Sequence, residues 1–208
     1  MSHLRAGISL VAIFCVSCAT PLPRPPEDQL QQLWQTHAAT LLPLEHWELR
    51  GRLAVRADER GGQASLTWRR AGQRHSIRLG GPLGRGALHL TQDESGAQLR
   101  DAEQRVQHAP NGEELLFNYT GWRLPVAHLN YWVRGLPAPD VAAEQELDES
   151  GRLRSLQQQG WLVQYQEYRR VDGRDLPSHL RLTSPANAAS GQPAMEVRLV
   201  IERWAQVQ

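Results

Sequence analysis

The stretch His46-Trp47-Glu48-Leu49-Arg50-Gly51-Arg52-Leu53-Ala54-Val55-Arg56 alternates. Trp47, Leu49, Leu53 and Val55 fall on one side of an extended chain. His46, Glu48, Arg50, Arg52 and Arg56 fall on the other. A period of two is the mark of a strand with one face buried and one in water. The same pattern continues downstream. Ala64, Leu66 and Trp68 share a face, and His75, Ile77 and Leu79 stand opposite Arg74, Ser76 and Arg78. Leu88 and Leu90 flank His89, and Ala97 and Leu99 flank Gln98. The turn signals Arg60-Gly61-Gly62, Ala71-Gly72 and Ser95-Gly96 separate these runs. Together they predict an antiparallel meander with one oily face and one Arg-rich wet face.

Helices flank this meander. Glu27 to Leu42 carries Leu30, Leu33, Trp34, Ala38 and Leu41 at helical spacing and stops at Pro43. Asn111 is an N-cap candidate for Gly112–Phe117. Pro125 opens a further helix through Arg134, closed by Gly135, with Val126, Leu129 and Val133 on one face. Strands then return around Leu153 and Leu156, Trp161-Val163-Tyr165, Leu180 and Leu182, and Met195-Val197-Leu199-Ile201, before Trp204. The count is nine to eleven strands and three helices. Three short helices cannot cover that much flat sheet, so the sheet is expected to curl into a partly closed barrel over an apolar hollow.

The beginning of the chain reads as an export signal, residues 1–17. His3 and Arg5 precede the short apolar run Ala6–Val16, which is far below the ~20 residues a membrane span needs. Small Ser17 precedes Cys18, and the stretch 18–28, with Pro21, Pro23, Pro25 and Pro26, suits a semi-rigid tether. The remainder, 29–208, reads as one domain. Both cysteines, Cys15 and Cys18, lie in the leading segment, so disulfides, thiolate nucleophiles and cysteine metal sites in the domain are excluded. All 23 basic residues are arginine, which excludes a lysine nucleophile. The acidic residues number 22, and this balance gives nucleic acid no claim as a partner. The eight histidines show no metal-ligand spacing, and Gly-x-Ser-x-Gly is absent, so neither a metal, a cofactor nor catalysis is expected.

Several segments carry a family resemblance. Val16-Ser17-Cys18-Ala19 resembles a bacterial lipobox, although Cys15 stands where leucine is usual. Gly121-Trp122-Arg123-Leu124-Pro125-Val126, with Tyr131-Trp132-Val133 and Gly135-Leu136-Pro137, resembles the central signature of the LolB family. Gly80-Gly81-Pro82-Leu83-Gly84, Trp161 to Tyr165 with Tyr168, and Val200-Ile201-Glu202-Arg203-Trp204 are similar too. The resemblance implies an incomplete antiparallel β-barrel with a helical lid and an apolar cavity. It implies lipid attachment at Cys18 and, through Ala19, sorting to the outer membrane of a Gram-negative bacterium, facing the periplasm. It further implies a monomeric receptor that takes lipoproteins from the periplasmic carrier LolA and inserts them among outer-membrane phospholipids.

On this basis Leu53, Val55, Leu66, Trp68, Ile77, Leu79, Leu88, Leu90, Trp132, Val197 and Leu199 are candidates to line the cavity, Ile201 stands with Val197 and Leu199 on the last strand, and Trp122 and Trp132 are candidates to gate the lid. The glycine-rich segment from Gly80 to Gly86 fails as a phosphate loop, since no lysine and no helix follow. The resemblance implies instead a loop engaging the membrane through Pro82 and Leu83. Two rival readings keep the fold and change the role. One is a lipid-anchored envelope scaffold with a filled core, and the other a lipid-anchored periplasmic enzyme.

Overall fold

The computed structural model describes residues 24–81, 86–189 and 191–207. Cys18, Pro82 and Leu83 lie outside the described residues. In chain order the elements are α1 (Glu27–Leu41), β1 (His46–Ala57), β2 (Arg60–Ala71), β3 (Arg74–Gly80), β4 (Leu88–Asp93), β5 (Gly96–Arg100) and β6 (Val106–Ala109). Then come α2 (Gly112–Thr120), α3 (Val126–Trp132), β7 (Ala143–Leu147), β8 (Leu153–Gln158), β9 (Trp161–Val171), β10 (Arg174–Ser184) and β11 (Met195–Gln206). Helix α1 begins at Glu27, so Glu27 and Asp28 belong to it rather than to the expected tether.

All eleven strands form one antiparallel sheet in the order β6-β5-β4-β3-β2-β1-β11-β10-β9-β8-β7. The first and last strands of the chain pair in its middle, and β6 and β7 are free edges. The barrel is therefore incomplete, as expected. The two edge strands escaped the alternation reading because they are short and polar, Val-Gln-His-Ala and Ala-Glu-Gln-Glu-Leu, with a single buried residue between them. An edge strand has only half the neighbours that would bury its side chains.

The helices occupy the inward face. Helix α1 covers the β7–β10 flank: Leu33 packs over Gly151, and Arg174 donates to the Thr40 carbonyl at 2.9 Å. Helix α2 lies on β4, β5 and β6. Its Asn111 side chain accepts from the Glu114 amide at 2.9 Å, the expected N-cap, and Gly121 ends it at φ 76°, a left-handed value that glycine takes without steric cost. A tryptophan cluster closes one end of the sheet. Trp47 meets Trp68 and Trp204 edge-on, each at 5.4 Å, a geometry that aligns ring edges with ring faces. The core residues run from Leu30 to Trp204, so a chain starting at Arg24 carries all of them.

Candidate functional site: an apolar hollow under a two-helix lid

Between the sheet and the α2–α3 pair lies a cavity of about 140 Å³. Its floor is Leu53 and Val55 of β1, Leu66 and Trp68 of β2, Ile77 and Leu79 of β3, Leu88 of β4, Leu182 of β10, and Val197 and Leu199 of β11. Its roof is Leu116 and Thr120 of α2, Trp122 and Leu124 of the link, and Val126, Leu129 and Val133 of α3 or just beyond it. Register explains the convergence of the floor. Leu66 pairs with Leu79, Trp68 with Ile77, Leu79 with Leu88, Val55 with Val197 and Leu53 with Leu199. Each pair puts both side chains on the same face.

Nine of the candidates thus sit together in the floor. Two do not. Leu90 is buried beneath the start of α2, where a Cβ on Gly112 would come within 2.9 Å of its Cδ2 atom. Trp132 is fully buried in the core beside β8 and donates its indole N–H to Gln158 Oε1 at 2.8 Å. Both correct the expectation for one reason: alternation says which face a residue takes, not whether a helix fills the space above it. Ile201 likewise belongs to the core. Of the roof residues only Trp122 was singled out, as a gate, although the shared face of Val126, Leu129 and Val133 was legible and pointed to the others.

The lid is held from outside the hollow. Gln158 bridges the segment after α3, donating to the carbonyls of Ala138 and Val141 and accepting from the Ala138 amide. Tyr165 donates its hydroxyl to the Trp132 carbonyl at 3.0 Å, and burial raises its pKa far above the usual phenol value. Arg134 is 2% exposed and donates to the carbonyls of Asn130, Leu41 and Leu44, tying α3 to the end of α1. Burial and neighbouring Arg70 lower its pKa to about 10. On the other side the link is fastened lightly. The Arg123 amide donates to Gln192, and its guanidinium lies 4.1 Å over the Phe117 ring.

Of the half-buried floor residues, Leu53, Val55, Leu79 and Leu88 lie towards the end of the sheet away from the tryptophan cluster, while Ile77 pairs with Trp68. The β1–β2 turn, the 81–87 connection and the 185–194 connection leave the sheet at that same end. Two roomier grooves on the outward face are shallow and open to solvent, and Arg52, Arg56, Arg60, Glu196 and Arg198 give them a charged wall unsuited to an apolar guest.

The family model described as outer membrane lipoprotein LolB matches residues 45–204. The chain belongs to the LolB family. It is 41% identical over 173 residues to the outer-membrane lipoprotein LolB of Pseudomonas putida strain F1, and 42% identical to that of Pseudomonas aeruginosa strain LESB58. Each match covers 83% of this chain and 80% of the relative. Among solved structures, a LolA superfamily protein from Nitrosomonas europaea superposes with a TM-score of 0.53 at 8% identity, covering 86% of this chain and 94% of that one. That likeness is one of fold. It accords with the open sheet and the helices on its inner face.

Proposed function

We propose that this LolB-family protein is the outer-membrane receptor of lipoprotein sorting. It takes lipoproteins from the periplasmic carrier LolA, holds their acyl chains in the hollow under α2 and α3, and releases them into the inner leaflet. The observation that carries this reading is the hollow itself: seventeen lining residues of which Thr120 alone is not a hydrocarbon or indole side chain. Such a wall offers acyl chains about 0.8 kcal/mol per methylene removed from water. No bond is made or broken in this handover, and no catalytic residue is assigned. The protein acts as a monomer, anchored through lipid on Cys18, with Leu83 and Pro82 engaging membrane phospholipid.

The hollow is comparable with the ~150 Å³ apolar cavities that stay dry and accept a benzene. It therefore seats the end of a chain, and a whole chain requires the lid to lift. Gly121, in the link between the two helices, is a natural pivot. Arg134 and Gln158 hold the far end of α3 fixed while the lightly fastened link moves.

The test uses a chain starting at Arg24 and a fluorescent hydrophobic probe, displaced by an acylated peptide. Leu66→Gln and Ile77→Gln, which place an amide in the floor, are expected to weaken probe binding at least tenfold, with melting measured alongside. A well-folded protein that takes up no probe would instead be the envelope scaffold with a filled core.

A further inference from the structure

Arg78 on β3, His89 on β4 and Arg100 on β5 stand side by side across the wet face, because the register pairs Arg78 with His89 and His89 with Arg100. Neighbouring strands lie about 4.8 Å apart, so the two arginines flank one imidazole. Both arginines are exposed, and His89 is half-buried with its Nε2 hydrogen-bonded to Ser76 Oγ at 2.9 Å. Burial, then Arg78 and Arg100, hold the His89 pKa below its usual value, so the ring adds no charge of its own at neutral pH.

Elsewhere on this face arginines are matched with carboxylates. Arg50 has Glu48 at 2.7 Å, Arg52 has Glu202 at 2.9 Å, and Arg181 and Arg198 share Glu196. Arg56, Arg60 and Arg203 make no ion pair among the described residues, yet each has a glutamate opposite or adjacent, Glu196, Glu59 and Glu202. Arg78 and Arg100 differ. The positions opposite Arg78 are Thr67 and His89, and those opposite Arg100 are His89 and Val106. Asp101 follows Arg100 in sequence, but it is buried and held by Arg105 at 2.7 Å, and the same arginine holds Glu103. Two cations without an internal counter-charge attract an external anion, and guanidinium forks match the oxygens of a phosphate.

We infer that Arg78 and Arg100, with His89 between them, form a site for the phosphate of an anionic phospholipid headgroup at the membrane surface. The inference rests on the reading that the 81–87 connection meets the membrane, and adds a headgroup site to it. Strands β3 and β4 are the two legs of that connection. β3 ends at Gly80, two residues past Arg78, and β4 begins at Leu88, one residue before His89. Two residues of strand span about 7 Å, close to the depth of one headgroup layer. A connection that touches the bilayer therefore brings the row level with the phosphates. An acidic protein would suit the charge but not this placement.

The experiment measures co-sedimentation of the chain starting at Arg24, which lacks Cys18, with vesicles of phosphatidylcholine alone or mixed with phosphatidylglycerol. Arg78→Gln with Arg100→Gln is expected to weaken binding to the mixed vesicles roughly 25-fold, about fivefold for each charge removed, and to leave melting and uptake of the hydrophobic probe unchanged. Arg154→Gln with Arg170→Gln removes the same charge from β8 and β9 and is expected to change binding little. Equal losses for the two pairs, or none for the first, overturn the site. An Arg78→Gln, Arg100→Gln protein that binds vesicles normally but takes less lipoprotein from the carrier makes the row a face for an acidic protein, which overturns it too. So does a wild type that binds both kinds of vesicle equally and inorganic phosphate at the row, which marks a site for the free anion. Leu83→Glu is expected to weaken binding to both kinds of vesicle, so failure of the membrane-facing connection is read separately from failure of the row.

Discussion

His75 sits between arginines on a buried surface: burial, then Arg70 and Arg134, lower its pKa from 6.5 to about 4. Its Nδ1 accepts from the Trp68 indole, which requires the neutral ring. The unfolded chain therefore binds a proton near pH 6.5 that the folded chain refuses until about pH 4. Stability is full above pH 6.5 and falls as pH drops through that window. For a partly exposed side chain the loss is about 2 kcal/mol. His37, lowered chiefly by burial, acts in the same direction. Thermal melts between pH 7 and pH 4 are expected to show a falling midpoint, and His75→Gln, which keeps an acceptor and cannot titrate, should flatten the curve. Arg134 is the other decisive single residue. Truncation to alanine removes hydrogen bonds to three buried carbonyls and should cost about 3 kcal/mol in denaturant unfolding. Lysine, without the planar fork, should recover only part of it.

At the scale of elements, β1 and β11 hold the centre of the sheet and meet at a bulge. Gly51 pairs with Ile201 and Arg50 with Arg203, leaving Glu202 as the extra residue. The bulge places both Glu202 and Arg203 on the wet face, so Ile201 and Trp204, three residues apart, are both buried. Strict alternation ends there for this reason. Gly51 belongs to the same device, since a Cβ on it would stand 2.0 Å from the Val200 carbonyl oxygen. Gly51→Ala is expected to destabilise by more than about 2 kcal/mol or to prevent expression, whereas Gly62→Ala, with open space around it, should change little. Helix boundaries were legible to within a few residues because their punctuation is local: Asn111, Pro43, Pro125 and Gly135. The edges β6 and β7 were not, because polar edge strands look like loops until a partner strand is in place.

On the proposed reading, the whole molecule separates holding a chain from delivering it. The hollow is built from described residues, while Leu83 belongs to the connection between β3 and β4, whose roots flank the open end. Leu83 buried in a bilayer interface would gain about 1.5–3 kcal/mol, enough for transient contact and too little for anchoring. Leu83→Glu reverses that preference while leaving every residue of the floor unchanged. The variant is expected to fold, to take lipoprotein from the carrier, and to fail in transfer to liposomes. Insertion at the wild-type rate would reduce that connection to a plain hairpin. Mass analysis of protein extracted from membranes should find a chain beginning at acylated Cys18, and an unmodified cysteine would contradict the anchor.

The sequence by itself determined the class of fold, the oily and wet faces of the long strands, and the membership of most of the hollow's floor. These follow from side-chain period and local turn chemistry, which act over a few residues. Only the tertiary structure decided that Leu90 and Trp132 are core, that α3 residues form the roof, and that the first and last strands join at the centre. It also decided that two indole nitrogens, those of Trp47 and Trp122, are left without an acceptor among the described residues. Those outcomes depend on which distant segment occupies the space above a given side chain, and no spacing along the chain encodes that.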